Sequence, residues 1–233
     1  MKKFYKIFMT AVVFLFITST IFISCSKEEE IKEPTKEEKE AGWRYFKAIG
    51  FKLHRPAFFD TYGDNVNADS SVGEEDKKTD EVVYKVYLYE FASDELNEKY
   101  DAIVSDKELN RGQKIEKIQK EVDPYLKPIY KLVVLRTPLI GTKTLAELTG
   151  LPNNEVIRKT KEFTQVLAIA DFNAEDLSEE AAEIYKDMIS QVKPIIPTIQ
   201  CTDPISAEAA MMKNVKGLTF ETIDLEGNKI TSD

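Results

Sequence analysis

Two cysteines and one histidine are the soft nucleophiles and transition-metal ligands of this 233-residue chain. Cys25 and Cys201 belong to no Cys-x-x-Cys pair and no zinc-type Cys/His cluster, so their spacing assembles neither a redox motif nor a metal site. His54 lies in Leu53-His54-Arg55-Pro56 without a Cys, Ser or carboxylate at a motif spacing, and a satisfied histidine explains it better than a general base. Asn65-x-Asn67-x-Asp69, with Asp76 eleven positions after Asn65, echoes a calcium loop. Ser70 stands where the sharp turn needs glycine, however, and Asp76 where a bidentate glutamate belongs. Glu175, Asp176, Glu179, Glu180 and Glu183 read as a solvated helix face. No phosphate-binding glycine loop and no Gly-x-Ser-x-Gly occurs. The expectation is a chain with no catalytic residues, no metal ligands and no cofactor, and thus not an enzyme.

Cys25 stands apart because of what precedes it. Lys2, Lys3 and Lys6 open the chain, Ile7 to Ile23 is an uncharged, mostly apolar run of 17 residues, and Ser24-Cys25 follows. That order is the charged start, apolar middle and small-residue exit of a secretory signal. A membrane-spanning anchor is the competing reading, but the run is short for a bilayer and is weakened by Thr10, Thr18, Ser19 and Thr20. Phe22-Ile23-Ser24-Cys25 resembles a bacterial lipobox, although that pattern usually has Leu first and Ala or Ser second. The resemblance implies cleavage between Ser24 and Cys25 and attachment of diacylglycerol and palmitate-type chains to Cys25. These chains would hold the protein at a membrane surface.

The expected organisation is a signal over residues 1–24, a charged flexible tether over 25–41, a globular domain over 42–205, and a helix with a terminal hairpin over 206–233. Residues 26–40 are mostly charged and too polar to offset their ordering entropy. Ser26, Lys27, Glu28, Glu29 and Glu30 resemble the acidic sorting signals that send lipoproteins to the outer face of an outer membrane; a plain solvated spacer is the alternative. Loss of residues 1–24 removes Lys2, Lys3 and Lys6 but no acid, so the formal charge moves from −9 to −12. Such a charge excludes non-specific nucleic-acid binding, which needs a basic surface. The expected location is the extracytoplasmic cell envelope, with the outer membrane favoured. The expected partners are the membrane itself and a protein of the envelope.

The folded part must begin near Gly42, where Trp43, Tyr45, Phe46, Ile49 and Phe51 arrive together. Thr61 to Asp80 reads as an exposed polar loop. Val82 to Ala92 is a strand by its β-branched and aromatic content, with Tyr87 and Tyr89 on one face and Tyr84 on the other. Ser93-Asp94 starts a helix to about Val104, and a charged helical stretch runs over 107–121. Tyr130 to Thr137 is a second strand and Glu162 to Phe172 a third. Between them lie a short helix over 145–149 and another capped by Asn154 and ending at Lys159. Ser178 caps the best helix, in which Ala181, Ile184, Tyr185, Met188, Ile189 and Val192 recur at helical spacing. Cys201 reads as a small apolar filler beside Ile199 or, exported, as an intermolecular disulfide partner.

This order indicates an α+β fold, a mixed or antiparallel sheet covered by helices on one side. Gly50-Phe51-Lys52-Leu53-His54-Arg55-Pro56 and the strand–helix order resemble PsbP-like domains of exported lipoproteins. At the other end, Phe220, Asp224, Leu225, Gly227, Asn228, Ile230, Ser232 and Asp233 resemble the first hairpin of a TlpA- or peroxiredoxin-type redoxin domain. That resemblance implies a non-catalytic accessory portion of an extracytoplasmic thiol-disulfide protein. The other reading is a stand-alone surface lipoprotein that binds a partner protein or a small ligand.

Overall fold

The computed structural model describes residues 31–71 and 82–205. Contacts divide the chain into Met1–Ile31 and Lys32–Asp233, and every element below lies in the second unit. Helix α1 (Lys36–Glu40) leads into strands β1 (Trp43–Phe46) and β2 (Phe51–His54), then the single helical turn α2 (Phe58–Thr61). Strands β3 (Val66–Ser71) and β4 (Val83–Phe91) precede helices α3 (Asp94–Ser105) and α4 (Arg111–Glu121). Strand β5 (Lys127–Arg136), helix α5 (Leu145–Thr149) and strands β6 (Asn153–Lys159) and β7 (Phe163–Ile169) follow. Helix α6 (Glu179–Ser190) and strand β8 (Gln200–Cys201) complete the described set.

Two antiparallel sheets result, one of five strands in the order β3-β4-β5-β7-β6 and one of three in the order β1-β2-β8. The α+β class is therefore as the strand–helix pattern indicated, and the sheets are antiparallel.

Register explains which side chains meet. Tyr89, Tyr130 and Ile169 form one cross-strand row and Tyr87, Leu132 and Leu167 the next, and residues paired in this way share a face. Ile49 of the β1–β2 turn and Phe51 and Leu53 of β2 pack on that face with Phe58 and with Ala181, Tyr185 and Met188 of α6. Tyr185 also donates its hydroxyl to the Pro128 carbonyl at 2.8 Å. On the opposite face Val133, Leu135 and Val166 are covered by Ile140, Leu145 and Leu148. Helix α6 thus supplies the one-sided cover that was expected, while α5 roofs part of the other face.

Four local expectations give way. Residues 153–159 form strand β6 rather than a helix: pairing with β7 holds Val156 extended, and Asn154 Nδ2 donates to the Leu151 carbonyl at 2.7 Å instead of capping a helix. Within the polar 61–80 stretch, 66–71 is an edge strand on β4, because its backbone finds ladder partners that polar side chains do not forbid. At the end of the presumed flexible tether, Thr35 and Glu38 form a capping box and start α1. Finally, a β-bulge between Val83 and Lys85 re-aims Tyr84, which joins Tyr89 in the same core cluster and stacks against Phe163 with centroids 5.2 Å apart.

Candidate functional site

The residues with the strongest sequence claim, Ser24, Cys25, Ser26, Lys27, Glu28, Glu29 and Glu30, lie outside the described residues, as does the 206–233 segment. The remaining candidates are visible. His54 has its Nδ1 2.9 Å from the Arg55 carbonyl, meets Trp43 edge-on at 5.9 Å between ring centroids, and closes over Gly42. Gly42 has φ +97°, and a Cβ there would lie 2.9 Å from the His54 ring, so histidine and glycine are fitted to each other. These contacts make His54 a packing residue.

The calcium-loop residues do not converge. Asn65 is buried and donates to the Ala92 carbonyl at 3.0 Å and to Asp94 Oδ1 at 2.7 Å, while Asn67 and Asp69 sit on strand β3. Asp76 lies outside the described residues, and no metal-holding cluster of His, Cys, Asp or Glu occurs among the described ones. Asn67 Nδ2 instead donates to Glu90 Oε2 at 3.2 Å. Burial pushes the Glu90 carboxyl above its ordinary value, with Asp69 and Asp123 adding repulsion against the pull of Asn67 and Lys131. Lys131, lowered by burial, donates to the Thr149 carbonyl at 2.8 Å.

Cys201 pairs with Phe51 in the small sheet and packs against the main core. Burial pushes its thiol up to about 12, with Arg158 pulling the other way, so it is protonated and inert at neutral pH.

A feature the sequence reading missed lies where the chain enters the domain. Glu33, Pro34, Lys36, Lys39, Glu40, Trp43, Arg44 and Tyr45 line a groove of about 530 Å³. Strand β1 builds its floor by period-two alternation: Phe46 turns inward to Tyr87 and Tyr89, leaving Trp43 and Tyr45 on the opposite side. Helix α1 forms the wall. It is fastened by Glu38 to Lys52 at 3.6 Å, and Arg44 Nη1 donates to the Lys39 carbonyl at 2.8 Å. Lys52 also lies 5.4 Å from the Trp43 ring centroid, a cation–π contact. Glu33 pairs with Lys47 at 3.0 Å, and the Lys47 ammonium holds its carboxyl below the ordinary value. Trp43 and Tyr45 had been counted with the first core residues. The signal available was their spacing of two, out of phase with Phe46.

Compared with family models, curated proteins and solved structures, the chain matches none. The groove and the N-terminal pattern therefore carry the functional reading by themselves. Among the described residues no helix is long and apolar enough to cross a membrane.

Proposed function

We propose that the chain is an extracytoplasmic lipoprotein, cleaved after Ser24 and acylated on Cys25, which holds a non-catalytic α+β domain at a membrane of the cell envelope. The observation that carries this reading is the sequence order of Lys2, Lys3 and Lys6, the uncharged run Ile7 to Ile23, and Cys25 before a charged segment. The domain acts as the accessory portion of a TlpA-type thiol-disulfide protein, a role supported by the redoxin-like residues from Phe220 to Asp233. The groove beside Trp43 favours a second reading, a surface lipoprotein that binds a partner or small ligand.

Metabolic labelling with a palmitate analogue tests the anchor. The wild-type chain should carry label and partition into detergent, and Cys25→Ser should lose both. A Cys25→Ser chain that stays in the membrane without label would point to an uncleaved hydrophobic span instead. The accessory role has a separate test in the coding sequence beyond Asp233. An in-frame Cys-x-x-Cys there within a domain's length favours it, and an unrelated reading frame sinks it.

A further inference from the structure

We propose that the groove between α1 and β1 is the membrane-facing surface of the domain, holding Trp43 and Tyr45 at the depth of the lipid headgroups. The inference rests on acylation at Cys25, and its first support is chain length. Residues 26–31 are all that separate Cys25 from Lys32, where the folded unit begins, a reach of about 25 Å at ~3.5 Å per Cα step from 25 to 32. A folded unit of this size is roughly 40 Å across. The far side of the domain is thus out of reach of the bilayer, and the surface around Glu33 is within it.

The second support is that the chain enters the domain at this corner, where α1 runs directly into β1. The Thr35–Glu38 capping box and the pairs of Glu33 with Lys47 and Glu38 with Lys52 hold α1 against the β1–β2 hairpin. Anchorage at Cys25 therefore brings this corner, ahead of the rest of the domain, to the bilayer. The third support is composition. Trp and Tyr have amphipathic rings that settle at the headgroup layer, and Lys and Arg extend charged heads into it from apolar stems. Trp43 and Tyr45 line the floor here, with Lys36, Lys39 and Arg44 at the rim. Three of the nearby acids have partners, Glu33 with Lys47, Glu38 with Lys52 and Glu40 with Lys36, while Glu37 of α1 is in none of these pairs. The repulsion of those three toward anionic lipid is correspondingly muted. The helical pair α3–α4 exposes Tyr100, Val104 and Ile115, a comparable apolar display, and is the comparison surface for the test below.

Trp43 is the sole tryptophan, so its fluorescence reports this groove alone. The lipidated full chain is reconstituted into phosphatidylethanolamine–phosphatidylglycerol vesicles whose acyl chains are brominated near the headgroup, and vesicle flotation is measured in parallel. The expected result is co-flotation, loss of most Trp43 emission, and a shift of the residual emission to shorter wavelength. The double variant Trp43→Phe/Ile115→Trp, which moves the reporter to exposed α4, should float equally and keep its emission. A floating chain with unquenched Trp43 overturns the inference and leaves acylation standing. Equal quenching at both positions overturns it too, because no single face is then presented. A chain that fails to float overturns the inference together with the lipoprotein reading.

Discussion

The turn of the β1–β2 hairpin is held on its two sides by opposite kinds of interaction. At the turn, Gln165 of β7 is fully buried and donates its amide to the Ile49 carbonyl at 2.9 Å and the Thr202 carbonyl at 2.9 Å, with a longer contact to the Gly50 carbonyl at 3.3 Å. The Thr202 N–H returns a bond to the Gly50 carbonyl at 2.8 Å. From the same turn Lys47 reaches outward to Glu33, which precedes α1, in an ion pair whose partners stay largely in water, with side chains 47% and 62% exposed. Buried polar groups that lose a partner are left desolvated, whereas exposed ions simply return to water. The difference separates a structural clamp from an adjustable contact, and substitutions on each side of the turn can break or sharpen it.

Gly50→Val should be the most damaging. Gly50 has φ +68°, a conformation β-branched side chains resist, and a Cβ there would lie 2.3 Å from the Thr202 carbonyl oxygen. Backbone cannot retreat without breaking the Thr202–Gly50 bond, so a loss of about 3 kcal/mol is expected from strain and lost pairing together. Urea unfolding with an unchanged slope would measure it. A loss below about 0.5 kcal/mol, the scale of ordinary surface changes, would show that the turn is free to shift.

Gln165→Leu comes second. Leucine keeps the volume but removes the donor, leaving the Ile49 and Thr202 carbonyls unsatisfied, at a cost of about 2–3 kcal/mol. It also removes the long 3.4 Å contact from Arg158 Nη1 to Gln165 Oε1, while Arg158 keeps its closer bond to Asp203 at 2.6 Å. Hydrogen exchange at the Thr202 amide should accelerate more than exchange at the amides of β5. Equal acceleration in both would mean that Gln165 supports the whole core and not this junction.

These two residues mark the limit of what the sequence makes legible. Strands β4, β5 and β7 and helix α6 were readable because their apolar residues repeat at the period of the element that buries them. The caps Ser93 and Ser178 were readable because each bonds a backbone N–H three residues on, a purely local arrangement. Strands β3 and β6 were not, since polar sequences there become strands only when a neighbouring strand supplies the ladder. The clamp was hidden for the same reason: Gln165 meets Ile49 across 116 positions, and no local pattern marks it. The groove was half visible, with its aromatics evident and their outward face decided only by pairing of β1 with β2. Cys25 is the reverse case, a candidate legible entirely from linear order.

On the exposed side of the turn, Glu33→Gln should have the smallest effect. The Lys47 pair and the lowered Glu33 carboxyl have a definite sign. A carboxyl whose folded value lies below its ordinary 4.5 stabilises the fold above that pH and loses the contribution as pH falls through the folded value. Exposure and salt screening reduce it to less than about 0.5 kcal/mol at neutral pH. Wild type and Glu33→Gln should thus differ slightly at pH 7 in low salt, and converge both in high salt and at acid pH. Gln165→Leu should remain destabilised under all three conditions, because its penalty comes from neutral buried carbonyls. If Glu33→Gln instead destabilised as much as Gln165→Leu, and salt did not erase the difference, the Glu33–Lys47 pair would be a clamp of the same rank as the Gln165 junction, with the turn held rigidly from both sides.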